Sequence, residues 1–388
     1  MVFICCIISG RQMQGAVAPR GSGKHSGALK RKRWGGLRRQ WELLGLFEID
    51  QHHEFYSLTC MMKEGLFSSI QTTIDRASTV SDFRAEDTQI HKGFTWETFA
   101  GPVFANLRGS LGVTEQEYQQ SLCSDKCYLQ FISNSKSKAD FFLTNDKRFF
   151  LKTQNEREIR FLLDNLKNYV AHLQKYPHSL LVKLLGMFCS PLQKYFIVMQ
   201  SVFYPDDRIS ARYDIKGCEV SRWTDPSPDG CQIIVVLKDL NFEGQYITLG
   251  RRQRYWLLRQ MEIDTEFLRS LNVLDYSLLL AHQPLQHDER DGQGGEAHRL
   301  AAGETEGLSD SEVQNRRLLL NLKNALHVID GPEQRYFIGI IDIFTVYSLK
   351  KRLEYWWKRL RHPGRTFSTV SPQIYCTRLC QWVLEHTK

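Results

Sequence analysis

The sequence predicts an α+β protein of two lobes, in which strands and one helix precede a larger mixed lobe. Between Phe141 and Lys152, two short apolar runs flank a polar turn, which is the pattern of a β-hairpin. Apolar residues then recur at helical spacing from about Asn155 to Leu173, and the apolar run 196–199 predicts a short buried strand. This order is typical of a two-lobed nucleotide-dependent transferase, although the order alone does not identify one.

Two other segments show a clear apolar pattern. Thr95–Leu107 predicts one apolar-periodic stretch that ends at the turn-like Gly109–Ser110. Tyr336–Phe344 predicts a compact apolar strand that a single charge, Asp342, interrupts.

Composition predicts where the folded part of the chain begins and where it is interrupted. Residues 1–40 are rich in Gly, Ser and Arg and predict a disordered basic tail, so one domain is expected over 41–388. Its first lobe would end near residue 199. Residues 283–315 are poor in large apolar side chains and predict a flexible insert.

The net charge of +8 is unevenly distributed. Of the 51 Lys and Arg residues, nine lie in residues 1–41, which contain no acid, so the remainder carries 42 basic against 43 acidic residues. Such a tail either meets an anionic surface or only keeps the protein soluble. Apart from Trp34 its basic residues lack interleaved aromatic residues, so no nucleic-acid partner is expected. A second basic cluster, Lys350–Arg365, is separate from the tail.

Cysteine usage and hydropathy indicate a cytoplasmic protein. The pairs Cys123/Cys127 and Cys376/Cys380 lack the histidines that would complete a metal site, so we expect ordinary thiols in a reducing compartment. No run approaches the roughly 18 consecutive apolar residues of a membrane-spanning helix. The apolar start of the chain lacks the positive region of a secretory signal.

Four places in the chain carry residues suited to phosphoryl transfer, which needs cations on the phosphates and carboxylates near metal and hydroxyl. Lys152 ends an apolar strand, where a cation is costly unless an anion meets it; alternatively, it reaches solvent. Asp214–Gly217 places an acid, a base and a glycine in one turn. Asp275 and Asp342 each interrupt an apolar run, which indicates a metal, a ligand or a structural salt bridge.

These places belong to a series of motifs that resembles the phosphatidylinositol phosphate kinases, in the same order along the chain. The resemblance covers roughly residues 52–385. Its motifs are Phe94–Ala100, Tyr118–Cys123, Phe150–Thr153, Asp214–Gly217, Leu237–Phe242, Asp275–Leu280 and Ile340–Ile343. The resemblance implies a two-lobed lipid kinase fold with antiparallel sheets and flanking helices. It also implies ATP and Mg²⁺ as cofactors.

The resemblance implies a role for each matching residue. Lys152 would be the strand lysine on the ATP phosphates, with Glu158 on the following helix as its ion-pair partner. Lys216 would be the second lysine near the phosphates. Asp275 would lie near the lipid hydroxyl, and Asp342 would bind magnesium.

From about residue 345 the chain resembles the family's activation loop, which lies against the membrane and selects the lipid. Leu353–Glu354 resembles the type I pattern, which is associated with phosphatidylinositol 4-phosphate and transfer to the 5-hydroxyl. Lys351 and Arg352 resemble the loop's dibasic pair, which suits anionic lipid. Trp356–Trp357 would lie at the headgroup level, unless one of the two rings is buried in the fold.

The nucleotide site departs from the family pattern. Met199 and its neighbours would form the hinge against adenine, and Ser135 and Lys138 would lie at the phosphates. The family's phosphate loop is Gly-x-Ser-Gly, whereas the matching stretch here, 135–138, has neither glycine. A glycine there permits positive φ and close approach of the backbone to phosphate. Forcing another residue into that conformation costs about 1–3 kcal/mol, or roughly five- to 150-fold in affinity or rate.

Two functions remain open at this stage. The missing glycines favour a homologue with weakened catalysis, acting as a scaffold or regulator of type I phosphatidylinositol 4-phosphate 5-kinases at the cytosolic membrane face. Such a protein would associate peripherally with anionic inositol lipid and form homodimers or heterodimers with type I relatives. The presence of the matching lysines and aspartates favours the alternative, a fully active ATP-dependent kinase.

Overall fold

The structure is a computed structural model that describes most of the chain beyond the predicted tail. The described residues are 46–75, 82–131, 139–190, 193–204, 208–226, 235–286 and 327–388. The predicted tail 1–40 and most of the predicted insert, from residue 287 onward, lie outside these ranges. In the described ranges, no helix combines the length and apolarity that crossing a bilayer requires.

The first lobe is built on an eight-stranded sheet with the strand order β1-β4-β5-β6-β8-β7-β3-β2. Its strands are β1 Leu46–Glu48, β2 Glu86–His91, β3 Phe94–Phe99, β4 Leu129–Phe131, β5 Phe141–Leu143, β6 Phe149–Gln154, β7 Leu184–Cys189 and β8 Tyr195–Gln200. Its helices are α1 Tyr56–Asp75, α2 Gly101–Ser110, α3 Glu115–Leu122 and α4 Glu156–Lys175. All pairings in this sheet are antiparallel.

The second lobe is built on a five-stranded sheet with the order β10-β9-β11-β13-β12. Its strands are β9 Ala211–Ile215, β10 Val236–Lys238, β11 Ser277–Pro284, β12 Val328–Asp330 and β13 Gln334–Ile341. Its helices are α5 Arg251–Ser270, α6 Leu349–Arg361 and α7 Pro372–Glu385, with a short 3-10 turn at Asp239–Phe242. Two sheets with flanking helices confirm the predicted α+β, two-lobed fold.

The predicted hairpin and helix of the first lobe are confirmed. β5 and β6 pair antiparallel, with Phe141 opposite Lys152. Helix α4 begins where Asn155 accepts a hydrogen bond from the Glu158 amide at 3.0 Å and the Glu158 carboxylate accepts from the Asn155 amide at 3.4 Å. This reciprocal capping satisfies amides that the first turn leaves unpaired. The periodicity predicted an apolar face of Ile159, Leu162, Leu163, Leu166 and Val170. The helix buries all of these except Leu163, which is half-buried.

Other element boundaries differ from the predictions. Thr95–Leu107 is not one element but strand β3 followed by helix α2, because Pro102 starts a helix where the strand pattern ends. Gly109–Ser110 belongs to that helix. The predicted insert begins later than residue 283, since β11 continues through Pro284.

A buried carboxylate holds the two lobes together behind the sheets. Asp264 of α5 lies 2.7 Å from His172 Nε2 at the end of α4. It also accepts hydrogen bonds from the Ser179 hydroxyl and the Leu180 amide, both at 2.7 Å. The segment so fixed exchanges backbone hydrogen bonds with Ile340 of β13. Strand β13 of the second sheet is thereby positioned against the first lobe.

Candidate active site

Three predicted site residues lie together at one end of the second sheet, where its inner strands start or stop. Lys216 follows β9, Asp275 precedes β11 and Asp342 follows β13. Because β11 runs antiparallel to both neighbours, its start lies beside the ends of β9 and β13. Motifs far apart in the sequence are thus brought to the same place by strand register.

Neither aspartate lies inside a strand, which corrects the expectation of carboxylates embedded in apolar strands. Asp275 has φ 64° and Asp342 has φ 61°, both in the left-handed region. Aspartate enters this region more readily than most residues but still at a cost. Strained backbone of this kind, about 1–3 kcal/mol per residue, is concentrated at functional sites.

Lys216 and Asp275 form the inner ion pair of the site. Lys216 Nζ lies 2.9 Å from Asp275 Oδ1 and also donates to the Asp275 carbonyl oxygen. Burial alone would lower the pKa of Lys216, but the charge of Asp275, with Asp214 and Asp342, outweighs burial and raises it. Burial likewise opposes ionisation of Asp275, yet Lys216 and then Lys351 outweigh it and hold its pKa below the usual value. Asp275 is therefore a carboxylate at neutral pH.

Lys152 does not pair with Glu158 as predicted. Lys152 lies within β6 rather than at its end, is buried, and forms an ion pair with Asp342. Glu158 instead caps helix α4. The Lys152–Asp342 pair joins the two lobes, and no signal in the sequence links residues so far apart.

A second network, of hydrogen bonds and ion pairs around Arg222, holds the Lys216 segment in place. The sequence did not predict it. Arg222 donates from Nε to Asp239 Oδ2 at 2.6 Å and from Nη2 to Asp214 Oδ1 at 2.8 Å. Asp239 Oδ1 accepts from the amides of Lys216 and Cys218, at 2.9 and 3.2 Å. The backbone around Lys216 is thus fixed by two carboxylates that share one arginine.

A cavity of about 170 Å³ opens between the two sheets beside these charges. Met199 of β8 lies in its wall with Phe131, Phe141 and Phe150, and Asp342 lies at its edge. The predominantly apolar wall suits a planar ring, and the adjacent cations suit phosphates. The predicted phosphate-loop residues Ser135 and Lys138 lie outside the described residues.

The segment predicted as the start of the activation loop forms helix α6. The three residues predicted to bind lipid, Lys351, Arg352 and Glu354, have different surroundings on this helix. Lys351 Nζ lies 3.5 Å from Asp275 Oδ2 and 3.3 Å from Glu354 Oε2. Glu354 also accepts from Lys358 Nζ at 2.7 Å and the Thr369 hydroxyl at 2.8 Å. Arg352 is exposed. Glu354 therefore ties α6 to the lobe and Lys351 lies next to the inner ion pair, whereas Arg352 is exposed to solvent.

No residue of α6 is buried, and its apolar side chains share one face. They are 55% to 82% exposed: Leu349, Leu353, Trp356, Trp357 and Leu360. Arg359 and Arg361 lie over the two tryptophan rings, at 5.7 and 5.1 Å from the ring centres. The alternative that one tryptophan is buried in the fold is therefore wrong.

Two lobes, an apolar cavity between them with Asp342 in its wall, and the ion pairs Lys152–Asp342 and Lys216–Asp275 are the arrangement of a two-lobed phosphotransferase. The model of the phosphatidylinositol-4-phosphate 5-kinase family matches residues 122–386. The chain therefore belongs to the phosphatidylinositol-4-phosphate 5-kinase family of lipid kinases, as the motifs predicted. Membership implies ATP as substrate.

Individual relatives agree with this assignment. The human phosphatidylinositol 4-phosphate 5-kinase-like protein 1 is 56% identical over 91% of this chain and 92% of that protein. The protein of the same name from Mus musculus is 50% identical over 91% of each chain. Phosphatidylinositol 4-phosphate 5-kinase 3 of Arabidopsis thaliana is 27% identical over 85% of this chain and 53% of that protein.

Proposed function

We propose that this chain is a phosphatidylinositol 4-phosphate 5-kinase homologue with weakened catalysis. It acts at the cytosolic membrane face as a scaffold or regulator of type I phosphatidylinositol 4-phosphate 5-kinases. The observation that carries the membrane part is helix α6, which exposes a complete apolar face beside cations while Lys351 reaches Asp275. A helix of this kind lies in the membrane interface, with tryptophans at headgroup level and cations on anionic lipid.

The residues at the sheet edge fit the chemistry of ATP-dependent transfer to an inositol hydroxyl. Lys152 and Lys216 bind phosphate oxygens, and ionised Asp275 accepts the proton of the 5-hydroxyl. Among the described residues, no three His, Cys, Asp or Glu side chains gather as a metal site. Magnesium in phosphotransferases takes one or two carboxylates and completes its shell with phosphates and water, so Asp342 fits this use. The ion would neutralise charge on the transferred group.

Weak catalysis is inferred from the sequence of the phosphate loop. Ser135 and Lys138 stand where the family resemblance expects glycine, at a cost of about 1–3 kcal/mol for each strained residue. A regulatory role as a homodimer, or as a heterodimer with a type I relative, needs the fold and the membrane-facing helix but not full turnover.

The second candidate is a fully active kinase that makes phosphatidylinositol 4,5-bisphosphate. The presence of the two ion pairs Lys152–Asp342 and Lys216–Asp275 at neighbouring strand ends favours it. Turnover decides between the two functions, whereas membrane binding is common to both.

Vesicle binding tests the membrane assignment. Trp356→Ser with Leu360→Ser removes exposed apolar contacts without disturbing a buried side chain. Binding to vesicles that contain phosphatidylinositol 4-phosphate should fall at least about tenfold. Each apolar side chain that no longer enters the membrane removes about 1 kcal/mol or more of the free energy of binding. Arg251→Ser with Arg252→Ser, exposed on α5, is the control and should bind as wild type. Wild-type binding by the α6 double variant would refute the assignment of α6, and loss of binding on removing residues 1–40 would transfer the role to the tail.

Lipid kinase turnover tests the catalytic part, on protein purified free of type I relatives. We expect slow turnover that Ser135→Gly with Lys138→Gly increases at least about fivefold, since each relieved residue contributes about 1–3 kcal/mol. Turnover at the rate of a type I enzyme would establish the second candidate. Failure to co-purify with, or alter the activity of, a type I enzyme on the same vesicles would refute the regulatory role.

A further inference from the structure

Both oxygens of the Asp275 carboxylate contact a lysine, and the two contacts differ in length. Lys216 Nζ lies 2.9 Å from Oδ1 and also donates to the backbone carbonyl oxygen of Asp275. Lys351 Nζ lies 3.5 Å from Oδ2. A hydrogen bond between an ammonium group and a carboxylate is about 2.7–2.9 Å long. Lys216 is therefore held firmly, whereas Lys351 makes a looser electrostatic contact.

The second anion beside Lys351 is Glu354, and this contact is also long. Lys351 Nζ lies 3.3 Å from Glu354 Oε2. Glu354 has two shorter contacts of its own, with Lys358 Nζ at 2.7 Å and with the Thr369 hydroxyl at 2.8 Å. Glu354 thus has a cation and a hydrogen-bond donor that do not depend on Lys351.

The departure of Lys351 from this place would leave neither carboxylate without a cation. Asp275 would keep Lys216, and Glu354 would keep Lys358. The side chains of Lys351 and Asp275 are 23% and 24% exposed, so water weakens their attraction. We therefore expect the contact to favour the paired position of Lys351 by only about fivefold or less.

The replacement partner that suits Lys351 best is a phosphate monoester. A lysine is a compact charge on a flexible four-carbon stem, so its ammonium group reaches a new anion without movement of the helix. A phosphate monoester carries about −1.5 to −2 charges at neutral pH, more than the single charge of Asp275. The first turn of α6 has no acid, and Lys350 and Arg352 beside Lys351 are exposed. An anion that approaches Lys351 therefore meets further positive charge.

We propose that the contact between Lys351 and Asp275 is an exchangeable cap on this carboxylate, which an inositol phosphate removes. Lys351 leaves Asp275 Oδ2 for a phosphate group of the ligand, and Oδ2 then accepts a hydrogen bond from a hydroxyl group of the inositol ring. Without such a ligand the cation stays on Asp275. The inference rests on the proposed function, to which it adds the step that prepares Asp275 for the hydroxyl.

The exchange also makes Asp275 a better proton acceptor. Burial raises the pKa of Asp275, whereas Lys216 and then Lys351 lower it. Transfer of Lys351 to a phosphate group removes one of the two cations that lower this pKa, so the pKa rises. A ligand without a phosphate group would leave the cap in place, and Asp275 would stay the weaker base.

Calorimetric binding of inositol 1,4-bisphosphate, the soluble headgroup of phosphatidylinositol 4-phosphate, tests the exchange without vesicles or turnover. Lys351→Met should raise the Kd at least about threefold, because the phosphate loses a cation. In an Asp275→Asn background the same substitution should raise the Kd at least about tenfold, because Lys351 no longer has to leave a carboxylate before it binds phosphate. The larger factor without Asp275 is the signature of competition, which a merely structural Lys351 would not give.

Two controls keep the comparison sharp. Lys350→Met removes an exposed charge one residue away, and its effect on the Kd should be the same with and without Asp275. Asp275→Asn leaves Lys216 without its nearest anion, so an Asp275→Asn, Lys216→Met background, which removes the whole pair, is measured beside it. In that background too, Lys351→Met should have the larger effect.

Two outcomes would overturn the proposal: wild-type affinity of Lys351→Met, or the same factor for Lys351→Met with and without Asp275. Equal coupling with inorganic phosphate, or with vesicles whose only anionic lipid is phosphatidylserine, would overturn the assignment to an inositol phosphate. Vesicles containing phosphatidylinositol 4-phosphate separate this inference from the proposed function. Coupling with the soluble headgroup but no vesicle binding would refute the membrane role alone, whereas vesicle binding without coupling would refute the exchange alone.

Discussion

Replacing Arg222 by methionine should destabilise the second lobe far more than removing an ordinary surface arginine. The side chain of Arg222 is 9% exposed and bridges Asp239, 5% exposed, and Asp214, 21% exposed. Burial alone would lower the pKa of Arg222, but the two carboxylates outweigh it and raise it. Arg222→Met leaves both carboxylates without their cation in a poorly hydrated place. Breaking a buried ion pair in this way costs about 3–5 kcal/mol, and the partial exposure of Asp214 favours the lower end.

The matched control is Arg259→Met on α5. Arg259 pairs with Glu262 at 2.8 Å, but both side chains are about 60% exposed, at 62% and 58%. Exposed pairs contribute less than about 1 kcal/mol. Arg222→Lys keeps the charge but not the two-pronged donor geometry, so it should recover only part of the loss.

Urea unfolding followed by tryptophan fluorescence measures all three variants. We expect a loss of about 3 kcal/mol for Arg222→Met and under about 1 kcal/mol for Arg259→Met, with unchanged denaturant slopes. Equal losses for the two methionine variants would show that the Arg222 network contributes no more than a surface pair. If Arg222→Lys were as stable as wild type, the charge alone, and not the geometry of the Arg222 guanidinium group, would hold the Lys216 segment.

Two further predictions concern stability. Burial lowers the pKa of Lys183 to about 8, so the unfolded chain holds this proton more tightly than the folded one. The free energy of unfolding of wild type should therefore rise by about 3 kcal/mol relative to that of Lys183→Met between pH 8 and about 10.5, and should not change below pH 8. A difference between the two proteins that does not depend on pH would contradict this. Gly65→Ala places a Cβ 2.3 Å from the buried Trp96 ring and should destabilise the protein by about 1–3 kcal/mol. In Gly109→Ala, on α2, the new Cβ meets open space, and the protein should become more stable by about 0.5–1 kcal/mol. A shift of the thermal unfolding midpoint in the same direction for both variants would refute the packing argument.

Local patterns predicted the elements whose signals are local. The hairpin of β5 and β6 follows from two apolar runs around a turn, and α4 from its periodicity and the Asn155 cap. The boundary between β3 and α2 was missed because apolar residues continue through it, and only Pro102 marks the change of period.

Partners across the fold were less predictable than the residues themselves. Lys152 was correctly singled out as a buried-strand cation, but its anion is Asp342 rather than Glu158, because α4 uses Glu158 for its own cap. Arg222 gave no sequence signal, since its importance arises only where Asp214 and Asp239 converge. Tertiary register, which brings strand ends together, decides such pairings.

The ion pairs of the site change how the matching lysines and aspartates bear on catalysis. Lys216 and Asp275 are largely buried and pair with each other, so losing Asp275 leaves Lys216 without its nearest anion, which costs several kcal/mol. Losing Lys216 leaves Asp275 with the longer contact to Lys351 alone. Lys152, buried beside Asp342, is held in the same way. A non-catalytic descendant would therefore keep these residues for folding alone, and their presence supports catalysis less strongly than the sequence suggests.

Backbone strain gives a second criterion. Among the described residues, five other non-glycine residues also have positive φ: Ala100, Lys147, Gln193, Ser221 and Asn272. Asp275 and Asp342 both lie in the left-handed region, at φ 64° and 61°, where asparagine or glycine fits at lower or equal cost. Folding explains a charge opposite each lysine, but it does not explain why both charges lie on strained backbone at strand ends of the same sheet. A site that must offer two carboxylates to phosphates, magnesium and an inositol hydroxyl explains both. The strain at these two aspartates is therefore an additional argument for the proposed phosphoryl transfer, beside the list of matching residues.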